Sequence, residues 1–121
     1  MTADLTIRVR REPGCAIVTV AGEIDIATVA RLRQCLNKLV DSAQPVVADL
    51  DQVDFMDASG LGAIVGAARR AAACGTTLQV VCDRRQTRRL FHLAGLDGQI
   101  RLARTLAEAL QTLEGDRPTQ G

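Results

Sequence analysis

The chain has 121 residues, 47% of them apolar and 24% charged, which is room for one domain with a proper core and too little for two. Its formal net charge of +1 leaves no global field to recruit nucleic acid or an anionic membrane surface. No apolar run approaches the ~20 residues of a membrane span, and Met1-Thr2-Ala3-Asp4-Leu5 has neither the basic start nor the apolar stretch of a secretory leader, so the expected location is the cytoplasm.

Residues 5–10 alternate apolar and polar, the pattern of a half-buried strand. Glu12-Pro13-Gly14 reads as a turn and Cys15 to Ala21 as a second, more buried strand, so an antiparallel hairpin at a sheet edge is expected. After Gly22-Glu23-Ile24-Asp25, the residues Val29, Leu32, Leu36, Leu39 and Val40 mark an amphipathic helix. Asp25 or Thr28 is placed to cap it. Pro45 opens a short apolar strand, Val46 to Leu50. Leu61, Ile64, Val65, Ala68 and Ala72 then share one helical face, and Gly75 stands where a helix-ending glycine belongs.

Thr77 to Cys82 is the next apolar strand, followed by a helix over Gln86 to Ala94 that turns Leu90, Phe91 and Ala94 inward. Gly95 and Leu96 fit a Schellman ending, with Leu96 packing back on Phe91. A short strand at Ile100 to Ala103 leads to the capping box Thr105-Leu106-Ala107-Glu108 and a last helix carrying Leu106, Ala109, Leu110 and Leu113. The domain is expected to span residues 1–113, with a frayed tail over 114–121. Strands alternating with helices after a hairpin predict an α/β fold: a mixed sheet of about five strands backed by about four helices.

Charge is unevenly placed. Asp49, Asp51, Asp54 and Asp57 are expected to crowd a central loop, and Arg84, Arg85, Arg88 and Arg89 crowd a later segment; both read most simply as solvated faces. No aromatic platform accompanies the arginines, which disfavours a nucleic-acid binder. Cys15, Cys35, Cys74 and Cys82 form no C-x-x-C pair and no metal spacing with the single His92. They are expected to be small buried apolar residues, and neither metal nor cofactor is predicted.

The candidate site is the turn Asp57-Ala58-Ser59-Gly60-Leu61-Gly62, which places a hydroxyl at the mouth of a helix. A helix N-cap accounts for Ser59 or Asp57 but not for the glycines. Gly62 and Gly66, with Ala63, Ala67 and Ala73, would leave the outward face nearly bare, and such a face lets another backbone come close. Dinucleotide binding is disfavoured because the glycine spacing departs from G-x-G-x-x-G and nine residues, Asp51 to Ser59, separate strand from glycines. A nucleophile elbow wants glycine two positions before the serine, where Asp57 stands. Regulatory phosphorylation uses every feature at once. A phosphoserine brings about −1.5 to −2 charges; the helix N-terminus tolerates it, while a partner needing close approach over Ser59 and the glycine face is repelled.

These residues resemble the bacterial anti-sigma factor antagonists, proteins built on a STAS domain. The resemblance is carried by Gly22-Glu23-Ile24-Asp25, by the strand Val46 to Leu50 and by Phe55-Met56-Asp57-Ala58-Ser59-Gly60-Leu61-Gly62. Arg88-Arg89-Leu90-Phe91-His92-Leu93-Ala94-Gly95-Leu96 matches more weakly, and order and spacing agree over residues 5–113. The resemblance implies a STAS-like fold and a protein that is not an enzyme. It implies that Ser59 is phosphorylated by a cognate anti-sigma factor kinase using ATP, and that a serine phosphatase resets the switch. The unphosphorylated form would bind the kinase and free the sigma factor. Ala58 stands where relatives often carry Ser or Thr, which leaves Ser59 the sole acceptor. Asp25 and Asp57 match acidic family positions near the partner surface, so the expected docking residues are Asp25, Asp57, Ala58, Ser59, Gly60, Gly62, Ala63 and Gly66. No nucleic acid or membrane partner is expected, and the protein would be a monomer or weak dimer. The family also contains ligand-sensing and redox-switched members, which make a nucleotide at Ser59 or a cysteine switch the alternatives.

Overall fold

The hairpin forms as its sequence suggests. In the computed structural model, which describes residues 4–96 and 100–115, β1 (Leu5–Glu12) and β2 (Cys15–Ile24) pair antiparallel from Leu5↔Gly22 to Glu12↔Cys15. Three parallel pairings follow: β2 with β3 (Val46–Met56), β3 with β4 (Leu78–Val81), and β4 with β5 (Arg101–Ala103). The sheet order is β1-β2-β3-β4-β5. The connecting helices are α1 (Val29–Asp41), α2 (Ala58–Ala73) and α3 (Arg85–Leu93). Each new strand is added on the same side, so crossovers of one hand must lay all three helices on one face. A last helix, α4 (Leu106–Gly115), covers part of the other.

Side-chain alternation divides the core accordingly. Ala16, Val18, Val20, Val46, Ala48, Leu50 and Val80 meet the residues of α1, α2 and α3, including the fully buried Phe91. Cys15, Ile17, Val47, Val81 and Ala103 face Leu106, Ala109, Leu110 and Leu113 of α4. Strands covered on both faces are apolar at successive positions, which is why Val46 to Ala48 reads as a continuous run rather than an alternating one. The Thr105 hydroxyl accepts the Glu108 amide at 3.1 Å, so the expected cap of α4 is present. Gly95 ends α3 with a positive φ of 71°, and Leu96 N donates to Phe91 O at 2.9 Å in the Schellman pattern. α4 continues to Gly115, two residues past the point where fraying was expected, and residues 116–121 lie outside the described residues.

Three expectations need correction. β3 does not stop at Leu50: it runs to Met56 because its second half pairs with the far end of β2, Glu23↔Phe55 and Ile24↔Met56. Asp51 and Asp54 are therefore strand residues, not loop residues. They also meet the arginine segment. Arg84 donates to Asp51 O at 2.8 Å and to Asp54 Oδ1 at 3.2 Å.

The buried face of α2 is also turned from the expected one. Gly60, Ala63, Ile64, Ala67 and Ala71 are buried, whereas Leu61, Val65 and Ala68 pack at its flank and Ala72 is exposed. Ala63 and Ala67, expected on the outward face, are 3% and 1% exposed. Small side chains let the helix backbone lie close to the sheet and to α1, and the larger Leu61 and Val65 then seal the edge. On the solvent side Arg70 joins α2 to α1 through two bonds to Asp41, at 2.6 and 2.8 Å.

The cysteines, third, are not uniformly interior. Cys15 and Cys82 are buried, Cys35 is half-buried and Cys74 is exposed just past α2.

Candidate functional site

β2 and β3 end side by side, and the turns that leave them build the site. The Asp57 amide donates to Ile24 O at 3.1 Å, which fastens the start of α2 to the end of β2. Asp57 is extended and is the N-cap residue of α2. Its Oδ1 accepts the Ser59 amide at 2.9 Å and the Gly60 amide at 3.3 Å, satisfying two of the donors a helix leaves open at its start. The Ser59 hydroxyl donates to the same oxygen at 2.5 Å. The bond from that hydroxyl, more than the two amides, holds the Asp57 carboxyl below the usual aspartate range against a smaller opposing effect of desolvation. At neutral pH the group is a carboxylate.

Ala58 is exposed and Ser59 half-buried. Gly60 is buried, and a Cβ there would stand 2.6 Å from both Ile24 Cγ2 and Met56 Cγ. Gly60 is thus a packing residue and not a surface one, and Ala63 likewise faces the core and presents nothing outward. Gly62 and Gly66 are exposed, with nothing within 4 Å of where a Cβ would be. The bare face expected of the helix therefore survives, narrowed to Gly62 and Gly66, one turn apart, and to Ala73 at the helix end.

Asp25 acts before α1. Its Oδ1 accepts the amides of Ala27 and Thr28 at 2.9 and 3.1 Å. Thr28 occupies the N-cap position without capping through its side chain; its hydroxyl instead donates to Glu23 O at 2.9 Å and accepts the Asp25 amide at 3.0 Å. Asp25 and Thr28 thus lock the turn to each other. On that turn Ile26 is 80% exposed, and Phe55, near the end of β3, is 50% exposed. Neither was singled out from the sequence. The signal was there in each case: a large apolar residue set beside acidic ones at the end of a strand.

The family model of the STAS domain matches residues 6–109. The chain belongs to the STAS domain family, among the anti-sigma factor antagonists. Over 115 residues it is 35% identical to the anti-sigma-F factor antagonist RsfB of Mycobacterium tuberculosis, covering 94% of this chain and 93% of that one. Among solved structures, an anti-sigma factor antagonist from Mycobacterium paratuberculosis superposes with a TM-score of 0.86 at 32% identity, covering 92% of this chain and 95% of that one. SpoIIAA in its unphosphorylated form shares the fold, with a TM-score of 0.76 at 20% identity over 93% of this chain and 100% of that one. The five-stranded mixed sheet with four helices is the STAS architecture, as the resemblance implied.

A cleft of about 640 Å³ over the sheet is lined by Thr6, Arg8, Val9, Arg10, Thr19, Ala21 and Gln52, and does not include Ser59. Burial pushes the thiols of Cys35 and Cys82 above their ordinary range, which disfavours the thiolate a redox switch needs. His92 sits on α3, not at the serine. Among the described residues no group of His, Cys, Asp and Glu is placed to hold a metal ion, and no helix is long and apolar enough to cross a membrane.

Proposed function

We propose that this chain antagonises an anti-sigma factor by docking it over the Ser59 turn, and that phosphorylation of Ser59 switches the docking off. The observation that carries the reading is the position of Ser59. Its hydroxyl stands at the second residue of α2, bonded to Asp57 Oδ1, one helical turn from the open backbone at Gly62 and two from Gly66. A partner backbone laid against the two glycines comes within reach of the hydroxyl. The similarity to named anti-sigma factor antagonists over nearly the whole chain supplies the class of partner.

The chain is the acceptor of the phosphoryl group and does no catalysis itself. The anti-sigma factor, acting as a serine kinase, supplies ATP. The Ser59 oxygen bonds to the γ-phosphorus as the bond to ADP breaks, and the hydroxyl proton passes to a base. A phosphate on Ser59 removes the donor that Asp57 now accepts and adds about −1.5 to −2 charges beside that carboxylate. The fold persists because the Asp57 cap bonds to two backbone amides remain. The close approach does not, since both bulk and charge now stand in front of the glycine face. A serine phosphatase resets the switch. Asp25, Asp57 and Ala58 frame the docking surface, with Ile26 and Phe55 as its exposed apolar contacts. The partners place the reaction in the cytoplasm.

Incubation of wild type and Ser59→Ala with ATP and each anti-sigma factor kinase of the source organism, read by intact-mass spectrometry, tests this. One added phosphate on the wild type alone is expected. A phosphate on the variant as well, or no phosphate and no complex with any candidate, overturns it.

A further inference from the structure

The arginines of α3 form a cationic cleft that the antagonist function does not use. Arg85, Arg88, Arg89 and His92 follow at offsets of three, four and seven, which puts them on one face of the helix; Thr87 and Phe91 are its buried residues. Together with Asp83, Leu102 and Arg104 that face lines a cleft of about 530 Å³. Among the described residues four guanidinium groups stand there against one carboxylate, a local charge of +3 in a chain whose total is +1.

Two of the four are already engaged. Arg88 Nη1 donates to Cys82 O at 2.9 Å, and Arg104 Nη1 meets Asp83 Oδ1 at 3.1 Å. These bonds fix two cationic walls and neutralise the one carboxylate. Among the described residues Arg85 and Arg89 have neither a carboxylate nor a carbonyl partner. Their position adds to the cost: α3 has no side-chain cap and no acidic residue in its first turn, so cations crowd the end where the helix dipole is itself positive. An anion in the cleft relieves the mutual repulsion and the uncompensated dipole together.

The chemistry narrows the anion. Guanidinium forks match phosphate oxygens in pairs, and the cleft lies in the size range of small-molecule sites. Arg85 and Arg89 together match one phosphate, and the N–H donors that Arg88 and Arg104 keep beyond the one each has already used extend the site to a second or third phosphate. No Phe, Tyr or Trp lines the cleft, so recognition rests on the phosphates and not on a stacked base. We infer that the α3–β5 cleft binds an oligophosphate anion, free or carried by a nucleotide, with Arg85 and Arg89 as its principal ligands and Arg88 and Arg104 as fixed walls. The cleft excludes Ser59, so the inference stands or falls apart from the antagonist function.

Calorimetric titration of the full chain with orthophosphate, pyrophosphate, tripolyphosphate and ATP at one fixed ionic strength tests it. Saturable one-to-one binding is expected, tighter as the phosphate chain lengthens and at least tenfold weaker in Arg85→Ala/Arg89→Ala. Arg85→Gln/Arg89→Gln, which keeps more of the side-chain stem, should lose binding equally, with circular dichroism unchanged. ATP binding no tighter than tripolyphosphate assigns recognition to the phosphate chain. A tenfold preference for ATP over tripolyphosphate overturns that assignment. Affinity retained by both double variants, or no binding by any of the four anions, overturns the site. So does binding of an acidic peptide such as oligoglutamate without binding of tripolyphosphate, which would make the cleft a protein-docking surface.

Discussion

Asp57 Oδ1 receives three hydrogens, from the Ser59 hydroxyl and from the amides of Ser59 and Gly60. One carboxylate oxygen thereby caps α2 and positions the group proposed for modification. The two tasks are separable, because the amides alone suffice for a cap. A switch built this way changes what the surface presents while leaving the helix start in place.

Separability is the first prediction. Ser59→Ala loses one half-exposed hydrogen bond, about 1 kcal/mol or less, so its Tm should stay within about 5 °C of wild type and partner binding should persist. Ser59→Asp should keep a similar Tm yet lose at least tenfold in partner affinity. Scanning calorimetry and a binding titration on both variants decide it. A Ser59→Asp variant that unfolds instead would mean that capping is the main duty of the turn.

The glycines of α2 should split into two classes. Gly60→Ala forces a Cβ into Ile24 and Met56 and should destabilise by about 1–3 kcal/mol, the range for overpacking. Gly66→Ala enters open space and removes a helix-interior glycine, so it should stabilise by up to about 1 kcal/mol. Gly66→Leu should keep the fold and weaken partner binding at least tenfold. Chemical denaturation paired with binding assays reads both classes, and equal destabilisation by the two alanine variants would contradict the assigned faces.

Gly22 carries a backbone constraint that its neighbours Glu23 and Ile24 do not. Its φ is +106°, and an added Cβ would run into the carbonyl oxygen of Asp4. Gly22→Ala should therefore lower stability by more than about 2 kcal/mol, measurable by urea denaturation. A neutral outcome would require the β1–β2 pairing to shift.

Acid should weaken the fold through two carboxyls. Asp57 is held below the usual range first by the Ser59 hydroxyl, and Asp41 first by its hydrogen bonds from Arg70. A depressed folded-state pKa means that the unfolded chain binds protons first as pH falls. The stabilising contribution is complete above the unfolded aspartate range, about pH 4, and disappears as pH drops through the lower folded values. Denaturation midpoints measured from pH 6 to pH 2.5 should fall below about pH 4, and less steeply in Asp57→Asn, where the amide oxygen still caps but no longer titrates.

Much of the molecule is legible before any coordinates. Alternation marks β1, an apolar run marks β3, and the spacing of Val29, Leu32, Leu36, Leu39 and Val40 matches the buried face of α1 residue for residue. Gly95-Leu96 and Thr105–Glu108 announce their helix ends correctly because a cap is a bond between residues a few positions apart. The Ser59 turn is legible for the same reason: Asp57, Ser59 and Gly60 meet within one turn of chain.

Distance along the chain is where sequence stops deciding. Hydrophobicity points to Leu61 and Val65 as the inward face of α2, yet Ala63 and Ala67 face the core, since how close the helix backbone can lie depends on α1 and the sheet it meets. Asp51 and Asp54 look like a loop until the far end of β2 pairs with Gln52, Val53, Phe55 and Met56 around them and Arg84 reaches across. Arg104 joins Arg85, Arg88 and Arg89 around one cleft only because β5 is laid beside β4. Local periodicity, capping and turn chemistry belong to the sequence by itself. Which of two adjacent helix faces is buried, and which distant charges converge, are set by long-range packing, and only the tertiary structure decides them.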